Sequence, residues 1–322
     1  MILVTGAAGF IGNALALRLL ERGEQVVGVD NFNSYYDVRL KDARAARVAA
    51  HPGFEMVRLD IADHEAFGAL VGRVQPDCVV HLAAQAGVRY SIENPFAYER
   101  ANLAGHLSVL EACRRTPSVR QLVYASSSSV YGERNLDKPF SEDDRVDGPV
   151  SLYAATKRSC ELMSHSYSHL YGMAQTGLRF FTVYGPWGRP DMAAFGFTKA
   201  ILAGQPIQVF GQGQMARDFT FIDDIIDGLI GVIDRPAKRS EARIFNIGDN
   251  RPVPLLHMIE VLEQALGREA IKQFVPMQAG DVPVTCADIS KLNALCGYNP
   301  KTPLEEGLPR FVEWYLDHYG RA

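Results

Sequence analysis

The chain has 322 residues, a length that suits about two domains at roughly 100–200 residues each. Hydrophobic residues make up 47% and charged residues 22%, which is ordinary globular composition and excludes a disordered chain. Lys plus Arg number 33 against 37 Asp plus Glu, a formal charge of −4, so the basic footprint of a nucleic-acid binder is missing.

Residues 2–4 form a short apolar strand that runs straight into glycines, which reads as a first β-strand and not a signal peptide. Ile11, Leu15 and Leu19 recur at helical spacing and predict a helix over 11–22, stopped by Gly23. Strands follow at 26–29 and 54–59, a helix at 63–74, and buried strands at 78–82 and 121–125. Long helical patterns cover about 97–115 and 153–171, and 177–183 reads as a sixth strand. Beyond 185 Gly and Pro become denser and the elements shorter: a helix near 195–203, a strand pair near 207–210 and 219–222, a helix near 224–234, a strand at 243–247 and a helix at 255–266.

The alternation predicts an α/β fold, a Rossmann-type doubly wound parallel sheet, with a smaller C-terminal α/β substrate domain. The expected division is 1–184 and 185–322, with a soft boundary because the chain can cross back. No apolar run is long enough to span a membrane. Cys78, Cys113, Cys160, Cys286 and Cys296 form no CxxC pair, which fits a reduced, cytoplasmic protein without a zinc site.

Gly6, Gly9 and Gly12 lie between the first strand and the first helix. Gly6 permits a tight turn, Gly9 lets the backbone approach a pyrophosphate, and Gly12 lets helix and strand pack closely. The helix N-terminus then offers free N–H groups and a positive dipole end. Asp30 ends the second strand, 18 residues beyond Gly12. A carboxylate there accepts both adenosine ribose hydroxyls and repels a 2′-phosphate, and Asn31-Phe32-Asn33 brings no Arg to welcome one, so NAD is favoured over NADP. Asp60, after the third strand, reads equally as an adenine-edge contact and as a turn cap.

Tyr153 and Lys157 are four apart and share one helix face. An ammonium beside a tyrosine stabilises its phenolate, which takes a proton from a sugar hydroxyl and returns it. Upstream, the strand at 121–125 runs into the hydroxyls of Ser126, Ser127, Ser128 and Ser129, at the sheet edge where ligands bind in this architecture.

With these motifs, His81-Leu82-Ala83-Ala84 and Arg217-Asp218-Phe219, the chain resembles the extended short-chain dehydrogenase/reductases, the nucleotide-sugar epimerases and dehydratases. The resemblance covers essentially the whole length. It implies Ser127, Tyr153 and Lys157 as the catalytic set, with Lys157 also holding the nicotinamide ribose. Cofactor contacts are implied for Gly6, Gly9, Phe10, Ile11, Gly12, Asp30, Asn31, Asp60, Ile61 and Ala83. A homodimer through a four-helix bundle of the two long helices is implied as well.

Within the family the segments 30–38, 179–192 and 277–282 are most similar to those of UDP-glucuronate 4-epimerases. Ser128 and Ser129 stand where 4,6-dehydratases carry Asp-Glu, and UDP-glucuronate decarboxylases carry Glu where Ser129 sits. UDP-galactose epimerases have Asn at Thr182 and Arg at Gln278. The resemblance therefore implies a UDP-sugar substrate, best a UDP-hexuronic acid, met by Arg89, Ser127, Ser128, Ser129, Thr182, Arg189, Arg217, Gln278 and Asp281. A planar cation such as Arg189 and several hydroxyls are what a sugar carboxylate wants. A 4-epimerase of UDP-galactose or a UDP-N-acetylhexosamine, or a scaffold that holds NAD without turnover, stays open from the residues alone. His81 reads as a satisfied core histidine, and Trp187 and Phe210 as rings that stack on a ligand or merely pack.

Overall fold

The computed structural model describes residues 1–133, 138–277 and 282–320. The chain runs β1 (Ile2–Thr5), α1 (Phe10–Glu21), β2 (Val26–Asp30), α2 (Val38–Ala49), β3 (Phe54–Arg58), α3 (His64–Val74) and β4 (Cys78–His81). Two short helices, α4 (Tyr90–Glu93) and α5 (Pro95–Tyr98), lead through a π-helical turn at Glu99–Ala104 into α6 (Gly105–Arg115). Next come β5 (Gln121–Ser127), α7 (Leu152–Tyr171), β6 (Gln175–Phe180), β7 (Thr182–Tyr184), α8 (Ala193–Leu202), β8 (Ile207–Val209), β9 (Ala216–Phe221) and α9 (Ile222–Ile233). The last elements are β10 (Ala242–Ile247), β11 (Pro252–Pro254), α10 (Leu255–Leu266), β12 (Lys272–Phe274), α11 (Ser290–Cys296) and α12 (Leu304–Tyr319).

Seven parallel strands form the central sheet in the order β10-β6-β5-β4-β1-β2-β3. This is the doubly wound order with one further strand at its edge. The inner strands β1, β2, β4 and β6 are buried on both faces, as such sheets require, while the edge strand β3 is partly exposed. In β1 Ile2 and Val4 enter one hydrophobic core and Leu3 the other; in β5 Val123 separates in the same way from Leu122 and Tyr124. Helices α3 and α6 cover the side of Leu3, while α1 and α9 pack on the opposite side. β10 lies beyond residue 185 yet joins this sheet.

Two local expectations are corrected. The strand over 177–183 is split at Phe181: β6 stays in the central sheet, whereas β7 leaves to pair with β9. The segments near 207–210 and 219–222 do not pair with each other. Between them Gly211, Gln212 and Gly213 all have left-handed φ and turn the chain, so β8 pairs with β12 while β9 lies between β7 and β11. The helix expected over about 97–115 is present and contains a π-helical turn at Glu99–Ala104, where Asn102 spends its side chain on the Gln85 backbone and on Thr156 Oγ1.

Candidate active site

The carboxyl ends of β1, β2, β4 and β5 open into a cavity of about 790 Å³, which continues across β7 and β9. Gly6 turns with φ +73°, and its carbonyl accepts the Gly9 N–H at 2.9 Å. A Cβ on Gly12 would stand 2.1 Å from the Gly6 oxygen and one on Gly9 2.9 Å from it, so any side chain breaks the turn. Gly9 precedes α1 and no side chain caps that helix end, which leaves the first-turn N–H groups to a ligand. Asp30, buried at the end of β2, accepts Ala8 N–H at 3.1 Å and Phe32 N–H at 2.8 Å, tying the acidic group to the glycine turn. Asp60 caps its own turn through Ala62 N–H and also pairs with Arg100 at 3.0 Å. Asn31, Ile61 and Ala83 line the same end of the cavity with Phe10 and Ile11.

His81 is indeed a core histidine. Its Nδ1 sits 2.8 Å from Thr5 Oγ1, which also accepts the Ala83 N–H. Burial pushes the imidazole well below its ordinary value, and the His106 ring 5.3 Å away adds to the effect.

Ser127 closes β5 and caps the 3₁₀ turn Ser128–Tyr131. Its Oγ accepts Ser129 N–H at 3.2 Å and bonds Ser129 Oγ at 3.1 Å. Ser151 caps α7 by accepting Ala154 N–H at 3.1 Å, which starts the helix at Leu152 and presents Tyr153 on its first turn. Lys157 follows one turn later, buried, with its ammonium donating to the Ala125 carbonyl at 2.8 Å. That bond holds the lysine against the end of β5, beside the serines. The Tyr153 ring stands edge-on to Tyr98 at 6.0 Å.

Across the cavity Arg189 forks onto Asp191, with Nε 3.0 Å from Oδ1, and the Tyr35 hydroxyl donates to Asp191 Oδ2 at 3.2 Å. Burial works against the Arg189 charge, but the Asp191 carboxylate outweighs it and holds the guanidinium above its ordinary value. Thr182 opens β7, and Arg89 lies 4.8 Å over the Phe210 ring. Arg217 donates to the carbonyls of Ala216 and Pro283. Every expected site residue that is described lines this one cavity, and Gln278 and Asp281 lie outside the described residues.

Sequence reasoning missed Tyr35, Arg44, Asp191 and Glu161. The repeated tyrosines of Tyr35-Tyr36 stood inside a family segment, but their partners are distant in the chain. Arg44 lies on α2, a helix the sequence reading did not identify.

The glycine cradle, the uncapped N-terminus of α1 and the buried Asp30 carboxylate form a donor and acceptor set that fits NAD. The family model described as NAD dependent epimerase/dehydratase matches residues 2–248. The chain belongs to that family. Among its relatives, a probable UDP-glucuronate 4-epimerase of Rhizobium meliloti is 46% identical over 99% of this chain and 98% of its own. UDP-glucuronate 4-epimerase 1 of Arabidopsis thaliana is 48% identical over 99% of this chain and 77% of its own. Among solved structures, the UDP-glucuronic acid 4-epimerase of Bacillus cereus, crystallised with UDP-glucuronic acid and NAD, superposes with a TM-score of 0.92 at 36% identity and covers 98% of this chain and 99% of that one.

Proposed function

We propose that the chain is an NAD-dependent isomerase that inverts carbon 4 of a UDP-hexuronic acid, interconverting UDP-glucuronate and UDP-galacturonate. The observation that carries this reading is one cavity holding the glycine turn, the Ser127–Tyr153–Lys157 cluster and Arg189 together. NAD, when bound, supplies reversible acceptance of the hydride from carbon 4. Tyr153 takes the 4-hydroxyl proton as that carbon becomes a ketone and returns it after the sugar has turned its other face. Lys157 stabilises the phenolate by its charge, and Ser127 bonds the reacting oxygen. Arg217 and Arg89 meet the diphosphate, which stays fixed while the sugar rotates. The Ser127, Ser128, Ser129 and Thr182 hydroxyls and Arg189 receive the sugar carboxylate.

The 4-keto-uronate is a β-keto acid, so its carboxylate must be restrained. If the bond from carbon 5 to the carboxylate breaks, its electron pair passes into the ketone as an enolate and CO2 leaves. A proton from water then reaches carbon 5, giving a UDP-4-keto-pentose with the cofactor left reduced. Donors that clamp the carboxylate hold it away from the perpendicular alignment this loss needs.

A second reading, a 4-epimerase of neutral UDP-hexoses, draws on the Arg189–Asp191 pair, whose two charges cancel. Incubating the protein with UDP-glucuronate, UDP-galactose and UDP-N-acetylglucosamine, and separating the products, decides between them. Turnover confined to the neutral sugars refutes the uronate reading.

The assembly we infer is a homodimer. α6 and α7 leave Leu107, Leu162, Leu170 and Tyr171 exposed, an apolar set that a second copy would cover. Light scattering of a Leu162→Glu variant is expected to give a monomer; a monomeric parent protein would sink this assignment. The five free cysteines favour a reducing compartment, in keeping with a cytoplasmic location. Among the described residues no helix is long and apolar enough to cross a membrane.

A further inference from the structure

Among the described residues the largest fully buried side chain is Arg44, on α2 in the cofactor half. An arginine has five N–H donors, and all of them are used here. Nε and Nη2 donate to the Trp187 carbonyl at 3.0 and 2.7 Å, and Nη2 also reaches the Gly188 carbonyl at 3.0 Å. Nη1 donates to the Tyr36 hydroxyl at 2.6 Å and to the Ala8 carbonyl at 3.4 Å. None of these acceptors is a carboxylate. The Arg44 carbonyl in turn accepts Asn13 Nδ2 at 2.8 Å, so α2 is tied to α1 at the same point.

These contacts join two parts of the molecule that the chain keeps about 140 residues apart. Ala8 belongs to the glycine turn, while Trp187 and Gly188 immediately precede Arg189. Trp187 is held at φ +66°, a left-handed conformation that is costly for a side chain of this size. The guanidinium stabilises that conformation by donating Nε–H and Nη2–H to its carbonyl as a fork. Arg47 adds a second hold, 4.9 Å over the Trp187 ring. From the same cofactor half Tyr35 reaches Asp191, so the residues on both sides of Arg189 are fixed by the segment after β2.

We propose that Arg44 is a positioning residue for Arg189: docked on the Trp187 and Gly188 carbonyls, it fixes where the next arginine enters the cavity and so how firmly the sugar carboxylate is held. This rests on the reading that Arg189 meets that carboxylate. Arg44 does not line the cavity in which the sugar would sit. Its influence is therefore expected in the fate of the keto-sugar more than in the proton transfer itself. Because it also contacts Ala8, it is a direct link between the seating of the glycine turn and the sugar end of the site.

The test compares Arg44→Lys, Arg44→Met, Tyr36→Phe and Arg189→Ala with the parent, each as the NAD-loaded protein given UDP-glucuronate. The main readout is CO2 released per UDP-galacturonate formed. This ratio does not depend on how much of a variant is folded, and a merely structural role would not move it. Nucleotide released on heat precipitation measures the NAD retained. Arg44→Lys keeps the charge and loses the fork, and is expected to raise both the CO2 ratio and KM about tenfold, the loss of one charged hydrogen bond. Arg44→Met exceeds it, and Tyr36→Phe, which removes one acceptor and no charge, shifts the ratio less but in the same direction. Should Arg189→Ala shift the ratio while all three other variants keep parent values, the Arg44 inference is wrong and the Arg189 reading stands. Should Arg189→Ala also keep parent values, the reading itself fails and takes the inference with it.

Discussion

Glu161 lies two turns along α7 from Tyr153, and its carboxylate holds three elements together. Oε1 accepts Ser126 Oγ from β5 at 2.6 Å and Arg179 Nε from β6 at 2.8 Å. Oε2 accepts Arg179 Nη2 and Arg158 Nη1, each at 2.9 Å. The Glu161 and Arg179 side chains are 1% and 3% exposed, so this pair is desolvated and its loss is not screened by water. Glu161→Gln presents an amide N–H₂ to a buried guanidinium and leaves that charge uncompensated. The expected cost is about 3–5 kcal/mol, the usual penalty for breaking one partner of a buried pair. At about 2–4 °C per kcal/mol for a larger domain, the melting temperature falls by roughly 10 °C. Replacing both partners, Glu161→Leu with Arg179→Met, removes the orphaned charge and is expected to be milder than either single change. The pH dependence supplies an independent check. Burial pushes the Glu161 carboxyl up, but the Arg179 bonds outweigh it and leave the group below its ordinary value of 4.5. A depressed carboxyl stabilises the fold above its unfolded value, and that contribution is lost as pH falls through the folded one. Urea midpoints should therefore decline below about pH 4.5 more steeply in the parent than in Glu161→Gln. A Gln variant within about 1 kcal/mol of the parent, or strictly additive effects in the double variant, would refute the claim that this pair anchors the helix.

Tyr153→Phe is expected to retain NAD yet lose about 10²–10⁴ of turnover, read by product formation at saturating substrate; near-normal turnover removes Tyr153 from the mechanism. Gly12→Ala drives a methyl to 2.1 Å from the Gly6 carbonyl and should abolish NAD retention, with lower thermal stability; full NAD content after purification would show that the turn yields. His106 is held down to about 3 by burial and the nearby Lys157 charge, so the unfolded chain binds a proton that the folded one refuses. Stability should fall as pH drops from about 6.5 towards 3, and His106→Asn should flatten that slope; an unchanged slope assigns the acid sensitivity elsewhere.

The parts of the site legible in the sequence are those whose chemistry is local. The three glycines must be glycines because a Cβ at position 12 would collide with the turn, and their spacing is set within one strand–turn–helix unit. Tyr153 and Lys157 need only a helix to share a face, and the capping Ser151 starts that helix in the right place. The central sheet was readable for a similar reason, since each apolar run is short and bounded by turns. What escaped is non-local. α2 buries Lys41 and Arg44 along with Leu40 and Val48, so its inner face looks polar and its period is hidden. α12 carries Pro309 inside its first turns, which masks a helix signal. The partners of Arg44 are backbone carbonyls, and a carbonyl has no letter in the sequence. The Arg189–Asp191 pair is two residues apart, yet only the fold shows that Tyr35 completes it.

The charges around residues 187–191 bear on the choice between a uronate and a neutral sugar. Arg189 and Asp191 cancel when taken alone, which favours the neutral sugar. Arg44 changes that sum. It is fully buried, its acceptors are carbonyl and hydroxyl oxygens, and burial holds its pKa below the ordinary value, with the nearby Arg189 charge adding a smaller push in the same direction. Lys41 and Arg47 also feel the Arg44 charge, and Asp30, Glu21 and Asp191 oppose the set, so four cations stand against three carboxylates and one positive charge is left over. A sugar carboxylate cancels that charge, whereas a hydroxymethyl group does not. Arg44→Met should thus weaken binding of UDP-glucuronate more than that of UDP-glucose, measured by titration of the NAD-loaded protein. Equal losses for the two would mean that the excess charge is neutralised within the protein and that selectivity rests on the hydroxyls of Ser127, Ser128, Ser129 and Thr182.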